Sequence, residues 1–342
     1  MSESTEPETV IITGASAGIG RATARAFGER GAKVGLLARG EDGLEEAKRE
    51  IERSGGEAVT VPTDVAEMSQ VENAAEIVTA EFGPIDVWVN CAMTTVFSEV
   101  KEMDADEYRR VTEVTYLGYV HGTMAALERM RPRDEGTIVQ VGSALAYRGI
   151  PLQSAYCASK HAIKGFTESL RTELIHDDSN IDVTMVHLPG MNTTQFTWVE
   201  NRLPKKPQPV PPIYQPEVAA DAIIWATHHN RRELYVGKPT LKTILGEKLV
   251  PWYLDRALAK EGYAGQLTDE PADPDSESNL WEPVSGDHGA HGPFDERATQ
   301  RSYQLWVTTH RKEVALLGVG CLLAGANLLW NAIQSRRANP KR

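Results

Sequence analysis

The sequence predicts an α/β fold: a doubly wound, mostly parallel sheet in one domain, followed by a linker and a hydrophobic helix. Three observations lead there. Apolar, β-rich runs alternate with helical patterns over the first two thirds of the 342 residues, and such alternation implies βαβ crossovers and parallel pairing. Several of the runs are apolar without alternation, as strands covered by helices on both faces must be. A glycine-rich turn separates the first strand from the first helix.

The elements follow in order. Residues 9–13 (TVIIT) form a strand, and a helix runs from the glycine turn to about Arg30. Residues 33–38 and 58–61 are the second and third strands, each followed by a helix, over 42–54 and 67–82. A fourth strand at 85–89 precedes one long helix over 104–130, and a fifth at 136–142 precedes a helix over 154–175. The sixth strand is 181–187, then a helix over 217–229 and a short seventh strand at 233–236. A further helix is expected over 242–260, with Leu245, Leu249, Trp252 and Leu258 as contacts. Crossovers should be right-handed.

Composition narrows the function. Hydrophobic residues make up 41% and charged residues 25%, enough apolar material for a large core. The net charge of −12 and the absence of a basic tract argue against nucleic acid as a partner. Nine acidic and no basic side chains lie in residues 268–296, so most of the acidity belongs to one segment. Cys91, Cys157 and Cys321 are too sparse for a disulfide framework and fit no metal spacing. No metal site is expected, and the first eight residues lack the pattern of a signal peptide.

The glycine turn reads Thr13-Gly14-Ala15-Ser16-Ala17-Gly18-Ile19-Gly20. Glycines permit a tight turn and close approach of a pyrophosphate, and the helix that opens there offers free N–H donors and a favourable dipole. Asp64 follows the third strand and Asn90 the fourth, at the strand ends where α/β sheets of this Rossmann type bind ligands. Ser143 follows the fifth strand. Tyr156 and Lys160 are four apart and share one helix face. A neighbouring ammonium favours a phenolate and so lowers a tyrosine pKa, and a serine hydroxyl can donate to a carbonyl oxygen as charge develops on it. This chemistry is hydride transfer with Tyr156 as proton donor or acceptor.

Taken in order, the GxxxGxG turn, Asp64, Asn90-Cys91-Ala92, Ser143, Tyr156xxxLys160 and Pro189-Gly190-Met191-Asn192-Thr193 resemble the short-chain dehydrogenase/reductase family over residues 8–238. The resemblance implies NAD(P)-dependent interconversion of alcohols and carbonyls. It implies that Gly14, Ser16, Gly18, Ile19 and Gly20 line the pyrophosphate, that Asp64 and Val65 meet the adenine, and that Asn90 lies near the cofactor ribose. Pro189, Gly190 and Thr193 should flank the nicotinamide, and Lys160 should also hold its ribose. Dimers or tetramers built through the long helices are a further implication.

The second strand ends in Ala38-Arg39, with no acid to bind a ribose 2′-hydroxyl and a guanidinium able to bind a phosphate. NADP(H) is therefore expected over NAD(H), although Ala17 stands where many NADP-binding relatives carry a base. Two positions depart from the family pattern. Met93 replaces a glycine, and Thr115 stands where the family has its fourth catalytic residue, an asparagine that helps hold a water. These departures leave a second reading open, a non-catalytic NADP-binding membrane scaffold or sensor.

The domain plan has four parts: a disordered start at 1–8, a catalytic domain at 9–262, an acidic disordered linker at 263–300 and a hydrophobic C-terminal helix within 301–342. Residues 204–216 hold six prolines and read as an extended substrate loop, with Phe196, Trp198, Tyr214 and Trp225 as candidates for an apolar site. Residues 314–335 carry no charge and are just long enough to cross a bilayer. They are expected as a membrane anchor, with an interfacial helix and an oligomerisation helix as alternatives. The expected substrate is lipophilic, and the supply of cofactor argues for a catalytic domain on the cytoplasmic face.

Overall fold

The alternation of strand and helix is realised as one seven-stranded parallel sheet. The computed structural model describes residues 7–311, 313, 314 and 330. The first half runs β1 (Thr9–Thr13), α1 (Gly18–Gly28), β2 (Lys33–Ala38), α2 (Glu41–Ser54), β3 (Glu57–Pro62), α3 (Met68–Phe82) and β4 (Val87–Asn90). After the short β5 (Val96–Phe97) come α4 (Ala105–Thr112), α5 (Gly118–Met130), β6 (Gly136–Ser143), α6 (Ser154–His176) and β7 (Ile181–Leu188). The strands are ordered β3-β2-β1-β4-β6-β7 with the edge strand β11 (Glu233–Tyr235) beside β7, all parallel.

Strand β1 is buried at every position, because helices cover both of its faces. Ile11, Leu37, Trp88 and Ile138 pack with Val78 of α3 and Met130 of α5 in one core cluster. At about 1.5–3 kcal/mol per buried side chain, that cluster supplies much of the driving force for closing the sheet. The order of strands reverses between β1 and β4. Helices leave these two strands in opposite directions, which opens a crevice at their carboxyl ends.

Four expectations need correction. The helix over 104–130 is two helices, α4 and α5, joined by a π-turn at Glu113–Leu117. The helix over 242–260 is likewise two, α9 (Gly237–Leu249) and α10 (Pro251–Glu261), because a residue preceding proline is held out of the helical region; Val250 has ψ 53°. Leu245, Leu249 and Trp252 consequently point to solvent.

The proline-rich segment is extended in two pieces, paired as strands rather than polyproline-like, with bends at Pro204 and Pro211–Pro212. After α7 (Gln195–Trp198) and β8 (Glu200–Asn201) it forms β9 (Lys205–Pro207) and β10 (Ile213–Tyr214), and it ends at α8 (Pro216–Thr227). The acidic segment after it is not disordered. It supplies β12 (Leu267–Pro271), antiparallel to β9, and β13 (Ala298–Thr299), parallel to β10. Composition averaged over 263–300 hides its anchors, the buried Leu280, Ala290 and Phe294; Asp287 pairs with Arg21, and Asp295 accepts from the Asn192 side-chain amide.

A separate compact unit begins at Ser302 and contains α11 (Tyr303–Thr309). Among the described residues no helix is long and apolar enough to cross a membrane. The expected membrane helix within 314–335 falls almost wholly outside the described residues, as do residues 1–6 of the expected disordered start.

Candidate functional site

The glycine turn forms the floor of a cleft at the crevice. A Cβ on Gly14, at φ 71°, would lie 2.8 Å from the Ala92 Cα, and one on Gly20 would lie 2.1 Å from the Gly14 carbonyl oxygen. Only glycine allows the turn to approach the loop after β4 and the head of α1 so closely. Ala17 at the head of α1 provides no side-chain cap. The cleft is lined by Gly14, Ser16, Arg39, Asp64, Val65 and Met93. The cradle fits a dinucleotide: an open space bounded by glycine backbone, a helix N-terminus and one guanidinium.

Asp64 is held at the edge of this cleft. Its Oδ2 accepts from Arg110 Nη2 at 2.5 Å and its Oδ1 from the Ala66 amide at 3.0 Å. The Arg39 guanidinium donates to the carbonyl oxygens of Trp281 and Asn279. Gly18, whose amide was expected at the pyrophosphate, donates it to the Gly289 carbonyl at 3.1 Å.

Ser143 at the end of β6 and Tyr156 and Lys160 on α6 converge on a second cavity of about 270 Å³. Leu145, Ile150, Leu188, Met191 and Phe196 give it a largely apolar wall, and Ile19, Pro189, Gly190 and Thr193 also line it. Met93 lines both spaces, so they meet at that residue. Leu258 of α10 lines the cavity. Of the four aromatic candidates, Phe196 lines this cavity and Trp198 the nucleotide cleft, whereas Trp225 stacks on His229 away from both.

Lys160 is almost fully buried. Its Nζ donates to the Val141 carbonyl at 2.8 Å and the Tyr119 hydroxyl at 3.0 Å. Burial lowers its pKa to about 7. Burial likewise pushes the Tyr156 phenol above its ordinary value, and the hydrogen bond from Ser143 only partly offsets this. The expected lowering of Tyr156 by a full neighbouring ammonium is therefore absent from the protein alone: desolvation weakens the charge on Lys160 itself. Ser143 Oγ accepts from the Leu145 amide at 3.1 Å, which fixes its orientation.

Two predicted residues sit behind the site. Asn90 is fully buried and lines neither cavity; its Oδ1 accepts from Trp88 Nε1 at 2.9 Å and its Nδ2 donates to Gln140 Oε1 at 3.0 Å. Its amide ties β4 to β6 rather than reaching toward a ribose. Thr115, in the π-turn, accepts from the Thr94 amide at 3.0 Å and donates to the Thr94 carbonyl at 2.7 Å. It pins the loop that carries Met93.

Sequence reasoning missed Tyr119, Arg110 and His187, whose Nδ1 lies 3.1 Å from the Ser143 carbonyl oxygen. It also missed Asn279, Gly286 and His288, which line the nucleotide cleft from the far end of the chain. None carries a local signal, because each gains its role only from a distant partner.

The short chain dehydrogenase family profile matches residues 8–203. The uncharacterized oxidoreductase YxnA of Bacillus subtilis (strain 168) is 34% identical over 283 residues, covering 82% of this chain and 80% of that protein. The 3-dehydrosphinganine reductase of Danio rerio is 32% identical over 223 residues, 63% of this chain and 67% of that one. Dehydrogenase/reductase SDR family member 7 of Homo sapiens is 38% identical over 169 residues, 48% and 50% of the two chains. Together with the parallel sheet and its glycine turn, these matches show that the chain belongs to the short chain dehydrogenase family of NAD(P)-binding oxidoreductases.

Proposed function

We propose that the protein is an NADP-dependent oxidoreductase that interconverts an alcohol and a carbonyl on an apolar substrate. The observation that carries this reading is the shared boundary at Met93, where the cavity holding Ser143, Tyr156 and Lys160 meets the dinucleotide cleft. When bound, the nicotinamide supplies or accepts the hydride. Tyr156 gives or takes the proton at the substrate oxygen, and Ser143 Oγ donates a hydrogen bond to that oxygen. Lys160 supports Tyr156 and the nicotinamide ribose.

Gly14, Ser16, Gly18, Ile19 and Gly20 hold the pyrophosphate, Asp64 and Val65 the adenine, and Pro189, Gly190 and Thr193 the nicotinamide. Arg39 and the absence of an acid at Ala38 favour a 2′-phosphate, hence NADP(H). Thr115 and Asn90 act as positioning residues. The apolar cavity wall supports a lipophilic substrate, and reductases of 3-dehydrosphinganine and 3-ketodihydrosphingosine among the relatives support a ketone. The uncharged run over 314–335 supports attachment to a membrane, with the catalytic domain on the cytoplasmic side.

Tyr156→Phe tests the chemistry. Fluorescence titration should show NADPH binding at wild-type affinity and tighter than NADH. Turnover of lipophilic ketones should fall by about 10²-fold or more, the scale of general acid–base catalysis. Wild-type turnover in the variant would overturn the mechanism.

A further inference from the structure

The segment from Asn279 to Gly289 crosses the mouth of the nucleotide cleft. At one end Leu280 is fully buried against Val96, Val111 and Ala155, and its carbonyl accepts from Arg110 Nε at 3.2 Å. Arg39 at the end of β2 then grips the Asn279 and Trp281 carbonyls. The Gly286 amide donates to Asp42 Oδ2 at 2.9 Å, Asp287 pairs with the buried Arg21 at 3.2 Å, and the Gly289 carbonyl accepts from Gly18. At the other end Phe294 is buried and its amide donates to Asn192 Oδ1 at 3.0 Å. Both ends are thus anchored by buried side chains, and the span between them is held by polar contacts to Arg39 after β2, Asp42 of α2 and Gly18 and Arg21 of α1.

A tail that only sealed the surface would pack down on it. This one leaves a space of about 120 Å³, lined by Pro283, Val284 and His288 of the segment together with Gly14, Ser16 and Asp64. Gly286 and Gly289 both have positive φ, so the span contains two positions where the backbone can turn freely. We infer that residues 279–289 are the outer wall of the nucleotide site, a strap that encloses the adenosine half of an adenine dinucleotide and lifts to admit or release it. The inference rests on the nucleotide-binding reading proposed above, and it adds a binding element that the glycine-turn motifs do not contain.

A reversible lock tests it in the full-length chain. A Cβ built on Gly40 lies 3.6 Å from the Pro283 Cβ, inside the range of about 3.5–4.5 Å that a disulfide needs. Gly40→Cys with Pro283→Cys, in a Cys321→Ser background, leaves Cys91 and Cys157, which are buried. With the cross-link verified by mass, stopped-flow fluorescence should show NADPH association and dissociation each slowed at least tenfold in the oxidised protein, and restored on reduction. Equal rates in the two redox forms would overturn the strap.

If the pair fails to cross-link, hydrogen–deuterium exchange on the unmodified chain decides. Saturating NADPH should slow exchange across 281–289, and unchanged exchange with NADPH demonstrably bound would overturn the strap. Failure of the wild-type chain to bind either NADPH or NADH is a separate result: it removes the nucleotide reading, and the strap with it.

Discussion

Lys160 Nζ lies 3.0 Å from the Tyr119 hydroxyl, and that hydroxyl in turn donates to the Val141 carbonyl that Lys160 also contacts. The buried amine is thus held by two protein acceptors, and its Nζ lies 4.6 Å from the centre of the Tyr119 ring. The Thr115 departure from the family pattern is one helical turn away from this tyrosine. The fold positions Lys160 through a residue that no motif contains.

Tyr119→Phe isolates that role. The ring and its packing remain while one acceptor of a charged donor is lost. Urea unfolding should show a loss of about 1–3 kcal/mol. The limb of the pH–rate profile that follows Lys160 should move to lower pH, because its ammonium has lost an acceptor, whereas a purely structural tyrosine would leave the profile where it was.

The lysine also gives stability a pH dependence of defined sign. Its native pKa of about 7 lies below the ordinary 10.5. Between those values the unfolded chain holds the proton and the native chain does not, so this group's contribution makes stability rise with pH. Below about 7 both states are protonated and the native state bears the full cost of the buried charge. Lys160→Met removes the term. Without cofactor, its melting temperature should exceed that of wild type most near pH 6, with the gap closing toward pH 10. A gap independent of pH would contradict the burial argument.

Leu280→Ala tests whether the acidic segment is part of the fold. Truncating a fully buried leucine costs about 2–5 kcal/mol. A disordered linker would lose nothing, so denaturant midpoints of the variant and wild type separate the two cases directly.

Asn90→Leu addresses a residue whose predicted and observed places differ. The variant leaves Trp88 Nε1 and Gln140 Oε1 without their buried partner, at about 1–3 kcal/mol for each group. NADPH affinity measured on folded protein should stay within about twofold. A tenfold loss of affinity would place the amide at the cofactor after all.

Membrane attachment is tested by ending the chain after Arg301, at the boundary of its first compact unit. The full-length chain should float with liposomes and the shortened one should remain in the dense fraction. Equal partitioning of the two would remove the anchor.

The alternation of strand and helix, the glycine turn and the spacing of Ser143, Tyr156 and Lys160 were legible in the sequence. Each rests on local periodicity or on spacing within one element: the TVIIT run before Gly14, or two side chains four apart on α6. The π-turn between α4 and α5 and the break at Val250 needed the structure, because the first has no sequence punctuation and the second rests on one proline. Long-range partners were wholly invisible. Asn90 was read as facing a ligand because it ends a strand, yet Trp88 and Gln140 turn it inward. The acidic segment was read by its average composition, yet Leu280 and Phe294 tie it down, and Arg39 meets its carbonyls 240 and 242 residues away in the chain. By itself the sequence determined the strand–helix alternation and the motif residues that mark the family, since type and spacing are local properties. Only the tertiary structure decided which of them face the two cavities and what closes over them, because burial and hydrogen-bond partners come from segments that local pattern cannot connect.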